Sequence, residues 1–408
     1  MDDAQRLLSL ADGMMGDLRR DVLPFWAQRV LDPARGFHGA MDDNGRVDPL
    51  APMGAVLCAR LLWTFSAALR RTGEAAHRGP ADHFFAWLTG PFWDRAHGGI
   101  FWMLDHEGRP LDERKQTYAL AFALYALAEY RLATGSEAAL SRAREIFDRV
   151  ERCATDEGFP GYAEARSREW APLADVRLSE KDQNAPRSMN THLHLMEAYA
   201  NLLRAWPEER LRGRLRALVE LHTERVLDRA SGHLLLFFDE RFRPLSRDVS
   251  YGHDIEASWL LPEAAEAVGE AELLERSRAA GLRLAQVALR EGLDRRHGGI
   301  FAERRDDGRL DDDKHWWMQA EAIVGFLNAY QVSREPAFLA AAEACWRFVE
   351  RFLVDPEHGE WRWRVRADGT RIAGLPRVEP WKCPYHNARA ALEAAARVSR
   401  LLAEGAAG

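Results

Sequence analysis

Apolar residues along this chain fall into long segments with a helical period, and the segments are of two kinds. Residues 117–134 are apolar on most faces, whereas residues 137–150 are apolar on one face only. A helix that is apolar all round is buried, and an amphipathic helix lies with its polar face in solvent. The alternation of the two kinds therefore predicts pairs of helices, one inner and one outer.

A short glycine-containing motif separates successive helix pairs. Its clearest copies are residues 94–101 (DRAHGGIF) and 294–301 (DRRHGGIF). Weaker copies share the opening aspartate and begin at Asp32, Asp156, Asp228 and Asp355. The six copies recur every 61 to 72 residues. After each clear copy come alternating residues, a Glu-Gly or Asp-Gly turn and a lysine, which is the pattern of a small β-hairpin.

Six units of nearly equal length predict an all-α fold, an (α/α)6 barrel of six helix-pair repeats with short β-hairpins at the end that carries the functional site. One helix pair cannot cover its own apolar face, so neighbouring pairs stack, and closing the ring covers the last face as well. No Pro/Ser-rich linker interrupts the chain. We therefore expect a single domain over residues 1–408, with two adjacent helical domains as the alternative.

Composition and charge exclude several classes of protein. The chain is 47% hydrophobic and 29% charged, as globular proteins are, and its net charge of −7 gives no basic face for nucleic acid. There is no apolar run of about 18 residues to span a membrane, and the N-terminus lacks a signal-peptide pattern. The four cysteines show no disulfide or zinc spacing, so we expect reduced thiols in a cytoplasmic protein. They are Cys58, Cys153, Cys345 and Cys383.

A polar and aromatic segment opens each predicted inner helix. The six segments are residues 59–63, 115–118, 190–194, 253–259, 315–321 and 381–387. Because they occupy equivalent positions in six repeats, they predict one shared cavity with the convergent polar groups of a small-molecule site. The chain has 14 tryptophans, and aromatic faces can stack on sugar rings. The candidate walls, each of which could instead be core packing, are Trp63, Tyr118, Trp259, Trp316, Trp317, Trp381 and Tyr385.

Helical spacing sorts the polar residues of these segments. Asn190, His194 and Glu197 fall on one helix face, whereas His192 points away from His194, so the two histidines do not form a metal-chelating pair. His253 and Glu256 are three residues apart and can touch. A carboxylate beside a histidine raises its basicity and fixes its tautomer. No other cluster with metal-ligand spacing is evident, so we expect neither a metal nor a cofactor.

Four residues stand out as candidates for chemistry. Arg60 lies in a segment that is otherwise apolar, and a buried arginine needs an anionic or polar partner. That partner is a developing oxyanion on a substrate or, as the alternative, an internal carboxylate. His194, His253 and His386 occupy matched positions in three repeats. A single histidine is more often a core residue, but three at equivalent sites favour binding or catalysis.

The set of side chains favours proton transfer from carbon. The chain has no glycine-rich phosphate loop, nucleophile elbow or zinc-protease motif. Its carboxylates lie beside histidine, tryptophan or arginine rather than as the opposed pair of a glycoside hydrolase. Histidines with a pKa near 6.5 suit abstraction of a proton next to a sugar aldehyde. Arg60 could then stabilise the enediolate that forms.

The same segments resemble the N-acylglucosamine 2-epimerase superfamily, and most closely its cellobiose 2-epimerase branch. The matching stretches are 60–66 (RLLWTFS), 190–194 (NTHLH), 250–259 (SYGHDIEASW), 316–321 (WWMQAE) and 381–387 (WKCPYHN). Several matches in the right order, from about residue 24 to 395, are specific for the superfamily and less specific for its substrate. The resemblance implies an (α/α)6 barrel and reversible epimerisation at carbon 2 of an aldose.

The resemblance also implies roles for individual residues. His253 and His386 would be the general acid/base pair, and His194, held near Asn190, would assist ring opening or bind the reducing-end oxygens. Arg60 and Glu256 would hold the enediolate, and Glu256 would tune His253. Trp317 and Trp381 would stack on the sugar rings. The remaining predicted substrate-binding residues are Tyr118, Trp259 and Glu321.

Three functions follow as hypotheses. The first is a 2-epimerase that acts on cellobiose, giving glucosyl-mannose, or on glucose and mannose. The second is an aldose–ketose isomerase that converts mannose to fructose, and the third is a carbohydrate- or protein-binding barrel without chemistry. The chain departs from the superfamily pattern at Met53, where lysine is common, and near Leu120, where glutamine is common; both are expected near the pocket. We expect a monomer or homodimer whose partner is a small sugar, with no nucleic acid and no membrane.

Overall fold

Twelve helices form two concentric rings in the computed structural model, which describes residues 2–158 and 160–407. Numbered in chain order, the outer helices are α1 (Asp3–Asp17), α3 (Arg78–Thr89), α5 (Glu137–Cys153), α7 (Glu209–Leu221), α9 (Ala271–Val287) and α11 (Pro336–Phe348). The inner helices are α2 (Ala55–Thr72), α4 (Thr117–Thr134), α6 (Met189–Ala205), α8 (Tyr251–Val268), α10 (Trp316–Ser333) and α12 (Tyr385–Ala407). The two segments whose patterns differed, 117–134 and 137–150, are the inner helix α4 and most of the outer helix α5.

Several outer helices are extended by short turns of wider or tighter helix. The π-helical turns are Leu18–Val22, Trp26–Val30, His222–Val226, Ala288–Gly292 and Val349–Leu353; the other short segments are the α-turn Leu23–Phe25 and the 3-10 turn Ala75–His77. Each π turn brings the chain from the outer ring towards the next glycine motif. These turns belong to the outer ring of the barrel and do not line its central cavity.

The inner helices close into a ring. Each packs against the next in the order α2, α4, α6, α8, α10 and α12, and α12 packs back against α2. Every outer helix lies against an inner one, with α1 against α12. The inner helices are buried on nearly all faces because both neighbours and an outer helix cover them. The (α/α)6 barrel predicted from the six repeats is confirmed.

Short antiparallel strands join neighbouring repeats at one end of the barrel. They are β1 (Leu31–Asp32), β2 (Gly36–Phe37), β3 (Met53–Gly54), β4 (Met103–Leu104), β5 (Pro110–Asp112), β6 (Lys115–Gln116), β7 (Ala165–Arg166), β8 (Arg187–Ser188), β9 (Phe237–Phe238), β10 (Val249–Ser250), β11 (Glu303–Arg304), β12 (Leu310–Asp311), β13 (Lys314–His315) and β14 (Arg364–Val365). The sheets have the orders β1-β2, β3-β4-β5, β6-β7, β8-β9, β10-β11-β12 and β13-β14. The predicted hairpins are β4-β5 and β11-β12.

Strand pairing also closes the ring between the last repeat and the first. The strand before an inner helix pairs with a strand of the following repeat, as where Met53 lies opposite Leu104. After the last repeat, a bridge between Met41 and Val378 does the same. None of the helices in the described part of the chain is long and apolar enough to cross a membrane.

The repeated aspartate of the glycine motif has a structural role. Asp94 Oδ1 accepts from the backbone of Ala96 and His97, and Oδ2 accepts from Lys115 Nζ at 2.8 Å. Lys115 comes just before α4, so this buried pair ties the motif to the start of an inner helix. Asp294 and Lys314 repeat the arrangement at 3.0 Å. In these two repeats the motif therefore fixes where the inner helices α4 and α10 begin, and with it the residues of their first turns.

Candidate active site

The candidate site lies where all six inner helices begin. Arg60, His194, Glu256 and Glu321 are each the sixth residue of their helices, as is Phe122. Equivalent positions of helices around a ring lie at the same depth, so these side chains form one layer on the barrel axis. A shallower layer, one turn or about 6 Å nearer the hairpins, holds the second residue of each helix. Its polar and aromatic members are Tyr118, Asn190, Trp317 and His386.

These layers surround a cavity of about 520 Å³, within the range of small-molecule sites. Nine of the predicted site residues line it, and they come from all six repeats. They are Arg60, Tyr118, Asn190, His194, His253, Glu256, Trp317, Trp381 and His386. The side chains that the sequence assigned to one shared cavity are therefore brought together.

His386 is oriented by a carboxylate beneath it. Its Nδ1 lies 2.7 Å from Oε1 of Glu321. The same oxygen accepts from Arg389 Nη2 at 2.6 Å, so it is an acceptor and Nδ1 carries the hydrogen. Nε2 is then the free nitrogen of the ring. Glu321 is 1% exposed and lies below the cavity rather than in its wall, so the predicted sugar contact of Glu321 is replaced by a contact with His386.

His194 has an equivalent partner on its own helix. Its Nδ1 lies 3.0 Å from Oε2 of Glu197, one turn further along α6. Burial alone would raise the pKa of Glu197, but the charge of Arg389 and the hydrogen bond from His194 hold that pKa at about 2. Glu197 is therefore an anion that accepts Nδ1–H. His192 faces the other way and accepts from the backbone N–H of Tyr162, as the helical spacing predicted.

His253 differs from the other two histidines because its neighbour is a hydroxyl. Its Nδ1 lies 2.8 Å from Ser250 Oγ. The expectation that Glu256 touches and tunes His253 is wrong: Glu256 turns instead to Arg389, whose Nη2 donates to Oε1 at 2.6 Å. The i, i+3 spacing permits the contact, but the guanidinium on α12 offers the carboxylate a full charge.

Burial shifts the protonation of these groups. It lowers the pKa of His253 to about 3 and that of His386 well below the usual range, while the pKa of His194 is also lowered. Burial, together with the nearby charge of Glu321, raises the pKa of Glu256 well above its usual value. Burial therefore favours neutral histidines, which can act as bases, and it disfavours the charged form of Glu256.

Arg60 reaches the cavity without a carboxylate partner. Its Nη2 donates to the Tyr118 hydroxyl at 2.8 Å, and Nη1 lies 3.6 Å from Cys383 Sγ. Its guanidinium carbon is 4.2 Å from the centre of the Phe122 ring. Within the described part of the chain, the groups that contact Arg60 are neutral or aromatic. The internal ion pair, which was the alternative from the sequence, is therefore not formed among these residues. The charge of Arg60 is available to an anion in the cavity.

Aromatic rings form two walls of the cavity. Trp317 packs against His253 at 4.9 Å and against His386 at 5.4 Å between ring centres. A side chain at Gly252 would lie 2.7 Å from the Trp317 ring, so glycine permits this close approach. The second wall is Trp381, 5.8 Å from Tyr118. Both predicted stacking tryptophans line the cavity.

Three other predicted aromatic walls lie beneath the cavity. Trp259 is 2% exposed, its Nε1 donates to Glu321 at 3.1 Å, and its ring lies under Arg389. The prediction that Trp259 contacts the sugar is therefore wrong; it supports the carboxylate that holds His386. Trp63 stacks on Tyr125, and Tyr385 donates to Glu197. Trp63 and Trp259 lie on the third turns of their helices, deeper than the cavity, and Tyr385 opens α12 with its hydroxyl directed to Glu197. Periodicity alone does not report this depth, so it did not separate these rings from the walls.

The structure adds two features that the sequence reasoning missed. Arg389 lies one turn after His386 and contacts three carboxylates, a role that its place in the first turns of an alanine-rich inner helix could have signalled. The loop of residues 175–184 reaches over the cavity and contributes Ser179, Lys181 and Asp182 to its wall. Because this loop has no helical or strand period, the sequence pattern gave it no place in the site.

The two departures from the superfamily pattern lie away from the cavity. Met53 is buried in β3, opposite Leu104. Leu120 is buried in α4, against Gly99 of the glycine motif. Neither is among the residues that line the cavity. The expectation that both positions are near the pocket is therefore wrong, and they give no reason to change the substrate.

One cluster has the spacing of a cation site. Glu256, Glu321 and His386 offer ligand atoms within 4.8 Å of one another. Arg389 Nη2 donates to both carboxylates at 2.6 Å, so a guanidinium already supplies the positive charge there. A metal ion bound by these residues would lie against that charge. The carboxylates of Glu256 and Glu321 are therefore bound by an arginine, and the three residues are not arranged to hold a metal ion.

Comparison with known proteins agrees with this geometry. The sequence pattern of the N-acylglucosamine 2-epimerase family matches residues 36–390. Cellobiose 2-epimerase of Bacteroides fragilis is 42% identical over 385 residues, 94% of this chain and 98% of that protein. The structure of cellobiose 2-epimerase from Bacillus thermoamylovorans B4167 gives a TM-score of 0.91 at 37% identity, covering 96% and 99% of the two chains. A D-mannose isomerase structure, at 22% identity and a TM-score of 0.79 over 95% and 96%, shares the fold.

Fold, site and comparisons together define the class: an (α/α)6-barrel enzyme of the isomerase type, among the racemases and epimerases, whose substrate is a small sugar. Within that class the chain belongs to the N-acylglucosamine 2-epimerase family, and it is a sugar 2-epimerase.

Proposed function

We propose that this enzyme inverts carbon 2 of the reducing-end glucose of cellobiose, giving glucosyl-mannose, with His253 and His386 as the acid/base pair. The observation that carries the proposal is that both imidazoles pack on the same indole, that of Trp317, at 4.9 and 5.4 Å. Two histidines beside one aromatic wall can address the two faces of a sugar carbon between them. Several cellobiose 2-epimerases among the relatives, one of them 42% identical to this chain, support the choice of substrate.

The reaction begins with ring opening and loss of the carbon 2 proton. His194, with Nδ1–H held by Glu197, has Nε2 free to move the proton of the anomeric hydroxyl. One histidine of the pair then takes the carbon 2 proton, which leaves an enediolate. Arg60, which lacks a carboxylate partner, stabilises its charge, and protonated Glu256 can donate a hydrogen bond to it. Rotation about the bond between carbons 2 and 3 presents the other face. The negative charge of the enediolate raises the basicity of the second histidine, which takes a proton from solvent on Nε2 and passes it to carbon 2, while the first histidine releases its proton to solvent.

A disaccharide is supported by the two aromatic walls. Trp317 lies beside the histidines, where the reacting unit must be, and Trp381 lies across the cavity beside Tyr118 and Trp102. Ser179, Lys181 and Asp182 of the covering loop offer polar contacts to a unit outside the reacting one. One hexose would leave part of this wall without a partner.

The alternative is an aldose–ketose isomerase acting on mannose. It shares the enediolate, and returning the proton to carbon 1 instead of carbon 2 gives fructose. A specific observation keeps it as a candidate: a D-mannose isomerase of Marinomonas mediterranea is 22% identical over 91% of this chain. A binding barrel without chemistry is disfavoured because all three histidines line the cavity, two of them oriented by carboxylates and His253 by the Ser250 hydroxyl.

Product analysis decides between these functions. The purified protein is incubated separately with cellobiose, mannose and glucose, and the products are resolved by anion-exchange chromatography. We expect glucosyl-mannose from cellobiose as the main product. Fructose from mannose with cellobiose unchanged would replace the proposal by the isomerase, and no turnover of any sugar would favour the binding barrel.

We further propose that the enzyme works without a metal or cofactor, as a single domain, in the cytoplasm. Arg389 fills the position where a cation would neutralise Glu256 and Glu321. Incubation with EDTA followed by removal of the chelator should leave the rate unchanged. A loss of activity that is restored by one divalent metal would contradict this part of the proposal.

A further inference from the structure

Arg389 is the only residue of the described chain that is hydrogen-bonded to Glu197, Glu256 and Glu321 together. Its Nη2 donates to Oε1 of Glu256 and to Oε1 of Glu321, each at 2.6 Å, and its Nη1 donates to Glu197. The side chain is buried and lies below the cavity, so it does not touch the sugar. One guanidinium thus gathers carboxylates from three inner helices.

Two of these carboxylates orient histidines of the site. Glu321 holds Nδ1 of His386 at 2.7 Å, and Glu197 holds Nδ1 of His194 at 3.0 Å. The two histidines come from helices on different sides of the ring. Arg389 is therefore the common point through which their ring positions are set relative to each other.

The protonation of the carboxylates also depends on this guanidinium. Three buried carboxylates face one positive charge, and a buried anion without a partner takes up a proton. The charge of Arg389 is the largest influence that keeps the pKa of Glu197 low against burial. Burial raises the pKa of Glu321, and Arg389 lowers it. Without the guanidinium both Glu197 and Glu321 would take up a proton more readily, and a carboxylic acid no longer requires Nδ1–H of its histidine.

We propose that Arg389 is a positioning residue for both His194 and His386, which fixes their tautomers and their aim by keeping Glu197 and Glu321 in place as acceptors. This inference rests on the proposed function, because it assigns those histidines to the chemistry. The competing account is that Arg389 is a structural ion pair whose loss affects folding alone.

The chain provides a matched control for that competing account. Arg397 lies two turns further along α12, is buried to a similar degree (3% exposed, against 1% for Arg389) and also lies near the ring of Trp259. Its Nη2 donates to Glu263 at 2.7 Å, and Nη1 donates to Asn328. The partners of Arg397 contact none of the three histidines in the described structure.

A second cavity gives experimental access to the position of Arg389. It has a volume of about 30 Å³, room for ordered water, and Arg389 and Glu197 form part of its wall. Its other end is bordered by Arg70, Arg71 and Arg204, which are exposed at the end of the barrel away from the hairpins. Truncating Arg389 would enlarge this cavity, so a small cation could enter it without crossing the sugar site.

The test is chemical rescue of Arg389→Ala. We expect kcat for cellobiose to fall by about 10² or more, and added guanidinium at millimolar concentration to restore it at least tenfold, whereas urea of the same shape without charge does not. Thermal unfolding is followed in parallel at each concentration, so that rescue is measured on folded protein. Arg397→Ala should lose stability while keeping kcat within about threefold.

Several outcomes would overturn the assignment. They are full activity in Arg389→Ala, equal rescue by urea and guanidinium, and an equal loss of kcat in folded Arg397→Ala. If Arg389→Ala does not fold, Arg389→Lys takes its place: it keeps the charge but not the fork that reaches three carboxylates, and an unchanged kcat with an unchanged pH profile would reject the role. Failure of the unmodified protein to turn over cellobiose or mannose would instead reject the proposed function.

Discussion

Oε1 of Glu321 lies 2.7 Å from Nδ1 of His386, a residue of the cavity wall, and this contact leaves Nε2 as the ring nitrogen that is free to accept a proton. The carboxylate stabilises the imidazolium that forms when His386 takes a proton. We expect Glu321→Gln to lower kcat by about 10- to 100-fold with little change in KM, because an amide accepts Nδ1–H without adding a charge. Steady-state kinetics on cellobiose measure this effect. Glu263→Gln, which alters a carboxylate bound to Arg397, is the control and should keep kcat.

Replacing Arg60 should raise the stability of the protein and lower its activity. Its buried guanidinium contacts Tyr118, Cys383 and Phe122 rather than a carboxylate. Arg60→Met keeps most of the volume and removes a buried charge, so we expect the free energy of unfolding to rise by about 1–3 kcal/mol.

The same variant should lose about 10²- to 10³-fold in kcat, because the enediolate loses its counter-charge. Denaturant unfolding and steady-state kinetics, measured on one preparation, give both values. Arg60→Lys serves as the comparison that keeps a charge. A variant that is both less stable and fully active would show that Arg60 is a structural residue.

Trp381 should distinguish a disaccharide from a monosaccharide. It is the wall away from His253 and His386, so Trp381→Ala removes a stacking surface from the outer sugar only. We expect KM for cellobiose to rise at least about tenfold, with KM for mannose changed by less than about threefold. Trp317→Ala, beside the histidines, should affect both sugars. Equal effects of Trp381→Ala on the two sugars would remove the argument for a second unit.

The low pKa of His253 predicts an unusual pH dependence. Burial lowers this pKa to about 3, so the neutral base persists well below pH 6.5, and kcat/KM should stay nearly flat from pH 7 to about pH 5. In the unfolded chain His253 has an ordinary pKa near 6.5.

Between these two values the unfolded chain binds more protons, so the stability that neutral His253 gives above pH 6.5 is lost as the pH falls towards 3. The free energy of unfolding should fall more steeply over this range than in His253→Gln, by at most about 1.4 kcal/mol per pH unit. Rate profiles and denaturant titrations at each pH measure the two quantities. An acid limb of kcat/KM centred on pH 6.5 would contradict the assignment of a buried neutral base.

The sequence was sufficient for the barrel because local and repeated signals agree. The pattern at 117–134 matches an inner helix to the residue, since that helix is covered on all sides and its pattern has no polar face to blur the limits. The shared cavity followed from equivalent positions in the repeats, which topology alone brings together. The sequence did not predict which charged residues pair with one another when they are far apart along the chain.

Glu256 illustrates what the sequence could not supply. Spacing along α8 offered His253 as its neighbour, but the carboxylate binds Arg389, 133 residues away. A buried carboxylate is drawn to the nearest full charge, and that charge is identified only when the ring of inner helices is closed and Arg389 of α12 reaches across to α8. Trp259 was misassigned because the sequence pattern does not report depth along the barrel axis. That depth decides whether an aromatic ring lines the cavity or packs beneath it, as Trp259 does.

The central claim is that His253 and His386 act on opposite faces of carbon 2, and proton exchange in D2O tests it most directly. His253→Asn and His386→Asn are each incubated with both epimers, and loss of the carbon 2 proton signal is followed by NMR. We predict that each variant loses epimerisation by about 10²- to 10⁴-fold, yet still exchanges the carbon 2 proton of one epimer, a different epimer for each variant. Exchange of the same epimer by both variants, or epimerisation retained in either, would contradict the account.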